Sequence, residues 1–370
     1  MNPGEDETGP SPDPLKVAVL LGGASEEREV SLASGVQVAR ALREVGHEVV
    51  AFDTTRGPLG DLDEERILEA GVASAPPAPG DRDLTESGDL TFLTRAPEFE
   101  GTEVIFPALH GGAGEDGTLQ ALLEIAGIPY VGSRMLGCAL AMDKDVTKRL
   151  LRDAGIPTPA WVTRTVQDLR GSALQEGPDV RELDRVVETV GFPMVVKPPS
   201  GGSTLGLRLV RERAELPDAV TEALRYEAAV LFEAYVAGRE TTVGIVGDEA
   251  LPVGEIIPAH ELFDYECKYQ PGLAEEIFPA DLDAEVTERL RARAREVHGL
   301  LRLRDFSRVD FMVEEDGSIW CLEANALPGL TANSLLPRAA RASGTEFPGL
   351  CQRLVGLAAQ RACLPGYDGA

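Results

Sequence analysis

The run Arg308-Val309-Asp310-Phe311-Met312-Val313, followed after a few residues by Ile319-Trp320-Cys321-Leu322-Glu323-Ala324-Asn325, reads as a hairpin. Its strands meet at Asp316-Gly317, a dipeptide that favours a two-residue type I′ turn. With that turn Glu315 faces Ser318, which sets Asp310 opposite Glu323 and Arg308 opposite Asn325, all four on one face. Directly opposed carboxylates repel unless a cation lies between them. Asp, Glu and Asn offer only oxygen donors, so the set suits Mg²⁺ or Mn²⁺ better than zinc, and Arg308 adds a guanidinium beside it. A solvated polar sheet face is the competing reading, and a one-residue slip in the turn would weaken the metal set.

A second chemical feature is the loop Pro198-Pro199-Ser200-Gly201-Gly202-Ser203-Thr204-Leu205-Gly206 between the strand-like runs ending at Lys197 and starting at Leu207. Such a loop brings backbone N–H groups and the Ser203 and Thr204 hydroxyls around phosphate oxygens, with Lys197 at its root. It is not a Walker A motif, because no Gly-Lys-Ser/Thr precedes a helix. An unliganded glycine-rich turn fits the same residues. Gly22-Gly23 follows a strand as a dinucleotide fingerprint would but lacks its spacing. Glu26, Glu27 and Glu29 would repel pyrophosphate, so this loop suits a cation such as a substrate ammonium, or is an acidic helix start complementing the dipole.

The elements that would hold these groups divide the chain. Lys16–Leu21 reads as a buried parallel strand, followed by a helix capped by Ser31 and stopped by Gly46, and by a strand over 48–52, a βαβ unit. Gly and Pro punctuate residues 54–100 before a strand over 104–109. A helix over 139–154 leads to strands over 192–197, 207–210 and 230–236. The last third gives strands over 241–246 and 251–257, a helix over 283–301 and the hairpin. The expected fold class is therefore α/β followed by α+β, with residues 171–178 as a surface loop.

Composition narrows the partners. A net charge of −27 disfavours nucleic acid and anionic membrane surfaces, and no apolar run reaches the roughly 18 residues of a spanning helix. Residues 1–15, with acids and four prolines, read as a disordered tail rather than a secretory signal. Five scattered cysteines without a CxxC pair fit reduced thiols and a cytoplasmic location, with Cys267 a candidate reactive thiol.

Taken in order, GGASEEREVSLASG (22–35), HGGAGEDGTLQ (110–120), MDK (142–144), KPPSGGSTLG (197–206), DYECKY (264–269), RVDF (308–311) and LEANALPGLTANSLLP (322–337) closely resemble the D-alanine-D-alanine ligase family of the ATP-grasp superfamily. The resemblance implies a three-domain ATP-grasp architecture: a Rossmann-like parallel-sheet domain over 16–136, a central domain over 137–236 and a C-terminal domain over 237–366. It implies that ATP phosphorylates one D-alanine carboxylate and that a second D-alanine's amine attacks the acylphosphate, for peptidoglycan precursor synthesis. Asp310, Glu323 and Asn325 would bind two Mg²⁺ (or Mn²⁺) ions. Lys144, Lys197 and Lys268 would contact phosphates together with Ser203 and Thr204, and Glu233, Tyr235, Val236 and Glu240 would hold adenosine. Glu27 would receive the first D-alanine's ammonium, near Val30 and His110. Arg308 and the Gly329 N–H would stabilise the oxyanion, Ser334 and Leu335 would contact the second D-alanine, and Ser203, Tyr269 and Glu27 would link three loops into a lid. A homodimer is expected.

The departures from the family pattern are few: Thr204 for a serine, Ala326 for a threonine, Phe263 for a tyrosine, Cys267 for an alanine, and Pro198-Pro199 at the loop entry. None removes a catalytic group. The alternatives are a sister ATP-grasp ligase making another dipeptide or a D-alanyl ester, against which Tyr269 argues, and a nucleotide-binding regulator without turnover.

Overall fold

The computed structural model describes residues 14–73, 90–94, 96–170, 179–202, 204–261, 263, 265–270 and 272–362. Each third of the chain contributes one sheet. The first is parallel through Glu48–Asp53, Lys16–Leu21 and Val104–Pro107, with the two-residue strand Gly57–Pro58 antiparallel at its edge. Lys16–Leu21 is its central strand, and Val17 to Leu21 are fully buried, as a sheet covered on both faces requires. The second sheet is antiparallel, in the order Trp161–Thr165, Ala229–Ala234, Met194–Lys197, Arg208–Val210. The third runs Ala274–Ile277, Gly254–Pro258, Arg239–Val246, Phe306–Val313, Ile319–Asn325, also antiparallel. This is the expected α/β unit followed by α+β. The tail over 1–13 and the loop over 171–178 lie outside the described residues.

Two helices differ from the sequence reading. The first spans Arg28–Glu44 with Glu27, not Ser31, at its N-cap. Ser31 is buried inside it and donates its hydroxyl to the Ala108 carbonyl, 2.6 Å away, so tertiary packing took the residue that local propensity would put at a cap. The expected helix over 139–154 is two, Met135–Met142 and Lys144–Asp153, broken at Asp143. Asp143 leaves helical geometry and its carboxylate accepts from the Val146 N–H at 3.0 Å, an N-cap that begins the second helix at Lys144.

The closing helices return to the start of the chain. Leu350, Leu354 and Val355 of Phe347–Ala362 share a core with Val36 and Leu42 of the first helix. Buried Asp305 fastens the same junction, accepting from the Gly132 N–H at 2.7 Å and pairing with Arg361. Behind the third sheet, helix Ala284–Leu300 carries half-buried His298, whose Nδ1 lies 2.7 Å from the Ser307 hydroxyl. Burial pulls this imidazole from 6.5 down to about 4, against a smaller upward pull from Asp248.

The folded His298 binds its proton less readily than the unfolded one, so its stabilisation is complete above about pH 6.5 and is lost as pH falls toward 4. The stability difference between wild type and His298→Asn, from urea unfolding, is expected to shrink between pH 7.5 and pH 5. An unchanged difference would mean that the imidazole is not held neutral.

Candidate active site

The hairpin is where geometry and sequence reading meet, by an unexpected route. The turn is not the two-residue type: Glu314, not Glu315, faces Ser318, with the Glu314 N–H on the Ser318 carbonyl at 3.0 Å and Gly317 in the left-handed region at φ 81°. That one-residue slip would move the carboxylates out of register. A bulge at Leu322 reverses it, since Phe311 pairs with Cys321 but Asp310 pairs with Glu323 and Arg308 with Asn325. On its other side the same strand sets Asp310 beside Thr242 and Met312 beside Glu240, so Glu240 joins the face diagonally to Asp310. The alternate residues Val309, Phe311 and Val313 point into the core.

Asp310 and Glu323 each meet a cation or donor. Arg308 grips Asp310 with Nε and a terminal nitrogen at 3.0 and 2.9 Å, Thr242 donates to it at 2.6 Å and the Asn325 amide at 3.0 Å. Lys144 Nζ lies 3.3 Å from Glu323. Burial alone would push the Glu323 carboxyl up, but Lys144, Lys268, Lys197 and Arg308 together hold it well below the usual carboxylate range. Glu240 goes the other way: burial, then repulsion from Asp310 and Glu323, outweigh Lys268 and Arg308 and raise it to about 7. Burial, with Arg308 repulsion, lowers Lys268, while Glu323, Glu27 and Glu240 oppose.

Among the described residues no three His, Cys, Asp or Glu side chains form a metal-holding group. The hairpin supplies two carboxylates and one carboxamide, whose oxygens are hard donors, with Asn325 turning its amide nitrogen toward Asp310. That set fits a hard divalent cation, with further ligands drawn from a bound polyphosphate.

Of these, Glu240, Arg308, Asp310, Met312 and Glu323 line one side of a cleft of about 1070 Å³; strands Met194–Lys197 and Ala229–Ala234 of the second sheet form another wall, and Glu26, Glu27, Gly111 and Gly112 reach it from loops beside the first sheet. Lys197 ends strand Met194–Lys197 and pairs with Glu233 Oε1 at 3.1 Å. Tyr235, Val236 and Glu240 follow Glu233 along the wall, and Thr204 and Lys268 close the top. The glycine loop is tethered at three points: the Ser200 N–H donates to Glu227 at 2.8 Å, Lys144 Nζ to the Gly201 carbonyl at 2.7 Å, and the Thr204 hydroxyl to the Phe263 carbonyl at 3.0 Å. Glu27 reaches the loop from the first domain, since a Cβ on Gly202 or on Gly111 would stand 3.0 Å from its Oε2. Ser203 lies outside the described residues, as does the side chain of Tyr269, whose backbone closes the short helix Tyr265–Tyr269.

The remaining expected residues sit around the cleft rather than on its wall. Asn325 lines a cavity of about 30 Å³ that shares Lys144, Gly202 and Glu323 with it. His110 is buried, 3.2 Å from both Ser34 and Glu115, and Val30 is buried on the first helix. Gly329 abuts Ser334, which N-caps helix Leu335–Ala342 and accepts from the Thr331 N–H at 3.1 Å, while Leu335 is buried. Cys267 is corrected: it is 3 % exposed, and the four described cysteines are all buried and in no disulfide, so packing and not reactivity is its role here.

Sequence reasoning missed Thr242, Met312, Glu227 and Lys148. Met312 continues the two-residue alternation of Arg308 and Asp310, and Lys148 stands one helical turn beyond Lys144, so both were within reach of periodicity. A compositional signal was also present. The chain has five lysines against thirty arginines; three of the five, Lys144, Lys197 and Lys268, line this cleft, and a fourth, Lys148, stands behind it.

The mixed three-sheet architecture, with a phosphate-suited cleft between two antiparallel sheets, defines an ATP-grasp protein. Family models described as D-ala D-ala ligase N-terminus and D-ala D-ala ligase C-terminus match residues 16–133 and 150–356, and the chain belongs to the D-alanine-D-alanine ligase family. It is 39% identical to the D-alanine–D-alanine ligase of Moorella thermoacetica over 93% of this chain and 99% of that one, and 39% identical to that of Aquifex aeolicus over 92% and 100%. Among solved structures it is similar to the D-alanine–D-alanine ligase of Bacillus anthracis complexed with ATP, at TM-score 0.70 and 29% identity over 94% and 98% of the two chains. It is also similar to the VanG D-Ala:D-Ser ligase of Enterococcus faecalis, at 0.75 and 28% over 93% and 99%.

Gly206 leaves the glycine loop at φ 68°, and a Cβ there would stand 2.6 Å from the Tyr226 ring. Gly206→Ala is expected to destabilise the protein by about 1–3 kcal/mol through backbone strain and overpacking. Thermal unfolding checks this; an unchanged Tm would contradict the close packing of the loop exit.

Proposed function

We propose that this chain joins two D-alanines into D-alanyl-D-alanine, a peptidoglycan precursor, at the expense of ATP. The observation that carries the reading is the meeting of Glu27, the glycine loop, Lys144 and Glu323 at one cleft, which brings an ammonium acceptor, phosphate donors and carboxylates together from separate parts of the chain. In the first step a carboxylate oxygen of D-alanine attacks the γ-phosphorus and ADP leaves. In the second the neutral amine of another D-alanine attacks the acyl carbon and phosphate leaves.

This chain's own groups divide the work. Glu27 holds the first ammonium, Lys144, Lys197 and Lys268 neutralise phosphate oxygens, and Arg308 with the Gly329 N–H stabilises the oxyanion of the tetrahedral intermediate. Ser334 and Leu335 border the second amino acid, while Val30 and His110 support Glu27 from behind. Glu233, Tyr235, Val236 and Glu240 hold adenosine. Ser203, Tyr269 and Glu27 link the loops over the closed site, excluding water from the acylphosphate. Asp310, Glu323 and Asn325 hold two Mg²⁺ ions, which screen phosphate charge when bound.

Three domains over 16–136, 137–236 and 237–366 fit this reading, each containing one sheet. No helix among the described residues is long and apolar enough to cross a membrane, and buried cysteines in no disulfide, together with ATP use, support a cytoplasmic enzyme. A homodimer is supported by exposed Ile125, Met135 and Leu136 on adjoining helices.

Phosphate release from ATP with a panel of D- and L-amino acids, paired with product mass, tests the assignment. D-alanine is expected to serve as both donor and acceptor, with D-serine and D-lactate poor acceptors at pH 8. A dominant D-alanyl-D-serine or ester product would give the chain a sister activity. Separately, Glu323→Gln is expected to lower kcat by about 100-fold or more with the fold intact, because it removes charge without volume from the metal-binding face. Near wild-type turnover at saturating Mg²⁺ would remove the metal assignment.

A further inference from the structure

Lys148 has no exposed surface, and it lies behind the cleft rather than on its wall. Its ammonium stands 2.6 Å from Glu233 Oε2 as an ion pair and donates a hydrogen bond to the Thr158 hydroxyl at 2.6 Å. Its charge also sits 5.6 Å from the centre of the Trp161 ring. The pairing of Trp161 and Val195 with Glu233 across neighbouring strands fixes the carboxylate in the middle of the second sheet. Lys197 approaches the other oxygen of the same carboxylate, at 3.1 Å, from the cleft side. One buried carboxylate therefore has an ammonium on each oxygen, one facing the cleft and one facing away.

The arrangement has a consequence in charge. A Lys197–Glu233 pair alone would be neutral, and the lysine's field in the cleft would be cancelled by its partner. With Lys148 the three groups sum to one positive charge, and the ammonium nearest the cleft carries it. Burying a third ionic group is expensive unless each charge is matched, and here the second hydrogen bond to Thr158 and the Trp161 face share that task. A purely structural filler for this fully enclosed site would be served better by an apolar side chain.

We propose that Lys148 is a positioning residue for nucleotide binding: by neutralising Glu233 from behind, it leaves Lys197 free to present a net positive charge to the phosphates of the bound nucleotide. This rests on the reading that Lys197 faces ATP phosphates, so the experiment first measures MgATP binding and turnover by the wild-type chain. Failure there would count against the proposed function, not against Lys148.

Given wild-type binding, Lys148→Met is expected to raise the Kd and KM for ATP about tenfold or more, with a much smaller change in KM for D-alanine, because one unit of charge is lost beside the phosphates only. The double variant Lys148→Met with Glu233→Gln restores a net charge of one and, because Glu233 also borders the adenosine, keeps there an acceptor oxygen of the same size and position. It is expected to recover most of the lost ATP affinity relative to Lys148→Met, and to fold even where the single variant, with Glu233 Oε2 buried and stripped of its ammonium, does not. Thermal unfolding of each protein separates folding from binding. Unchanged ATP affinity in Lys148→Met, equal losses for ATP and D-alanine, or a double variant that binds ATP no better than Lys148→Met when both are folded, would each overturn the proposal.

Discussion

The structure depends on the compensation of carboxylates that its third sheet forces onto one face. Asp310, Glu323 and Glu240 cannot leave that face without breaking the alternation that buries Val309, Phe311 and Val313, so their charge must be met where it stands. The cations that meet it come from separate parts of the chain: Arg308 from the same strand, Lys144 from the helix ahead of the second sheet, Lys268 from the segment above the cleft. Electrostatic balance thus gathers separate parts of the chain around one cavity, and the partners that surround Glu323 keep it ionised while its neighbour Glu240 rises to about 7. Two carboxylates a few residues apart in space acquire different protonation behaviour from their surroundings alone.

The glycine loop illustrates a second constraint. A flexible segment can surround phosphate only if its ends are held, and the holds here belong to other elements: Glu227 beneath, Lys144 beside and the Phe263 carbonyl above. Lys144 is both tether and counter-ion, since the ammonium that touches Gly201 also faces Glu323. The charge of the carboxylate face and the position of the loop are therefore coupled through a single side chain.

What the sequence disclosed follows the range of the forces involved. The parallel strand Lys16–Leu21 and the hairpin were legible because continuous and alternating apolar runs encode burial directly. The opposition of Asp310 and Glu323 was also legible, although the turn expected for it did not form. A three-residue turn and the Leu322 bulge offset one another, and neither leaves a local mark in the residue pattern. The helix start at Arg28 and the break at Asp143 were misread for a related reason: Ser31 satisfies a carbonyl 77 residues away, and Asp143 caps a helix whose apolar pattern runs straight through it. Contacts such as Ser200 with Glu227, between loops distant in sequence, have no periodic signature and needed the folded chain.

The crowding of lysine at the cleft has an outcome for covalent chemistry. With arginine carrying nearly all the positive charge elsewhere, Lys16 is the one lysine side chain away from the cleft and the wall behind it. Guanidinium groups ignore mild acylating reagents, so an amine-directed label applied to this protein samples the cleft against a background of almost nothing. Peptide mapping of such labelling, with and without nucleotide, would report occupancy at Lys144, Lys197 and Lys268 one residue at a time, with Lys16 as the internal standard.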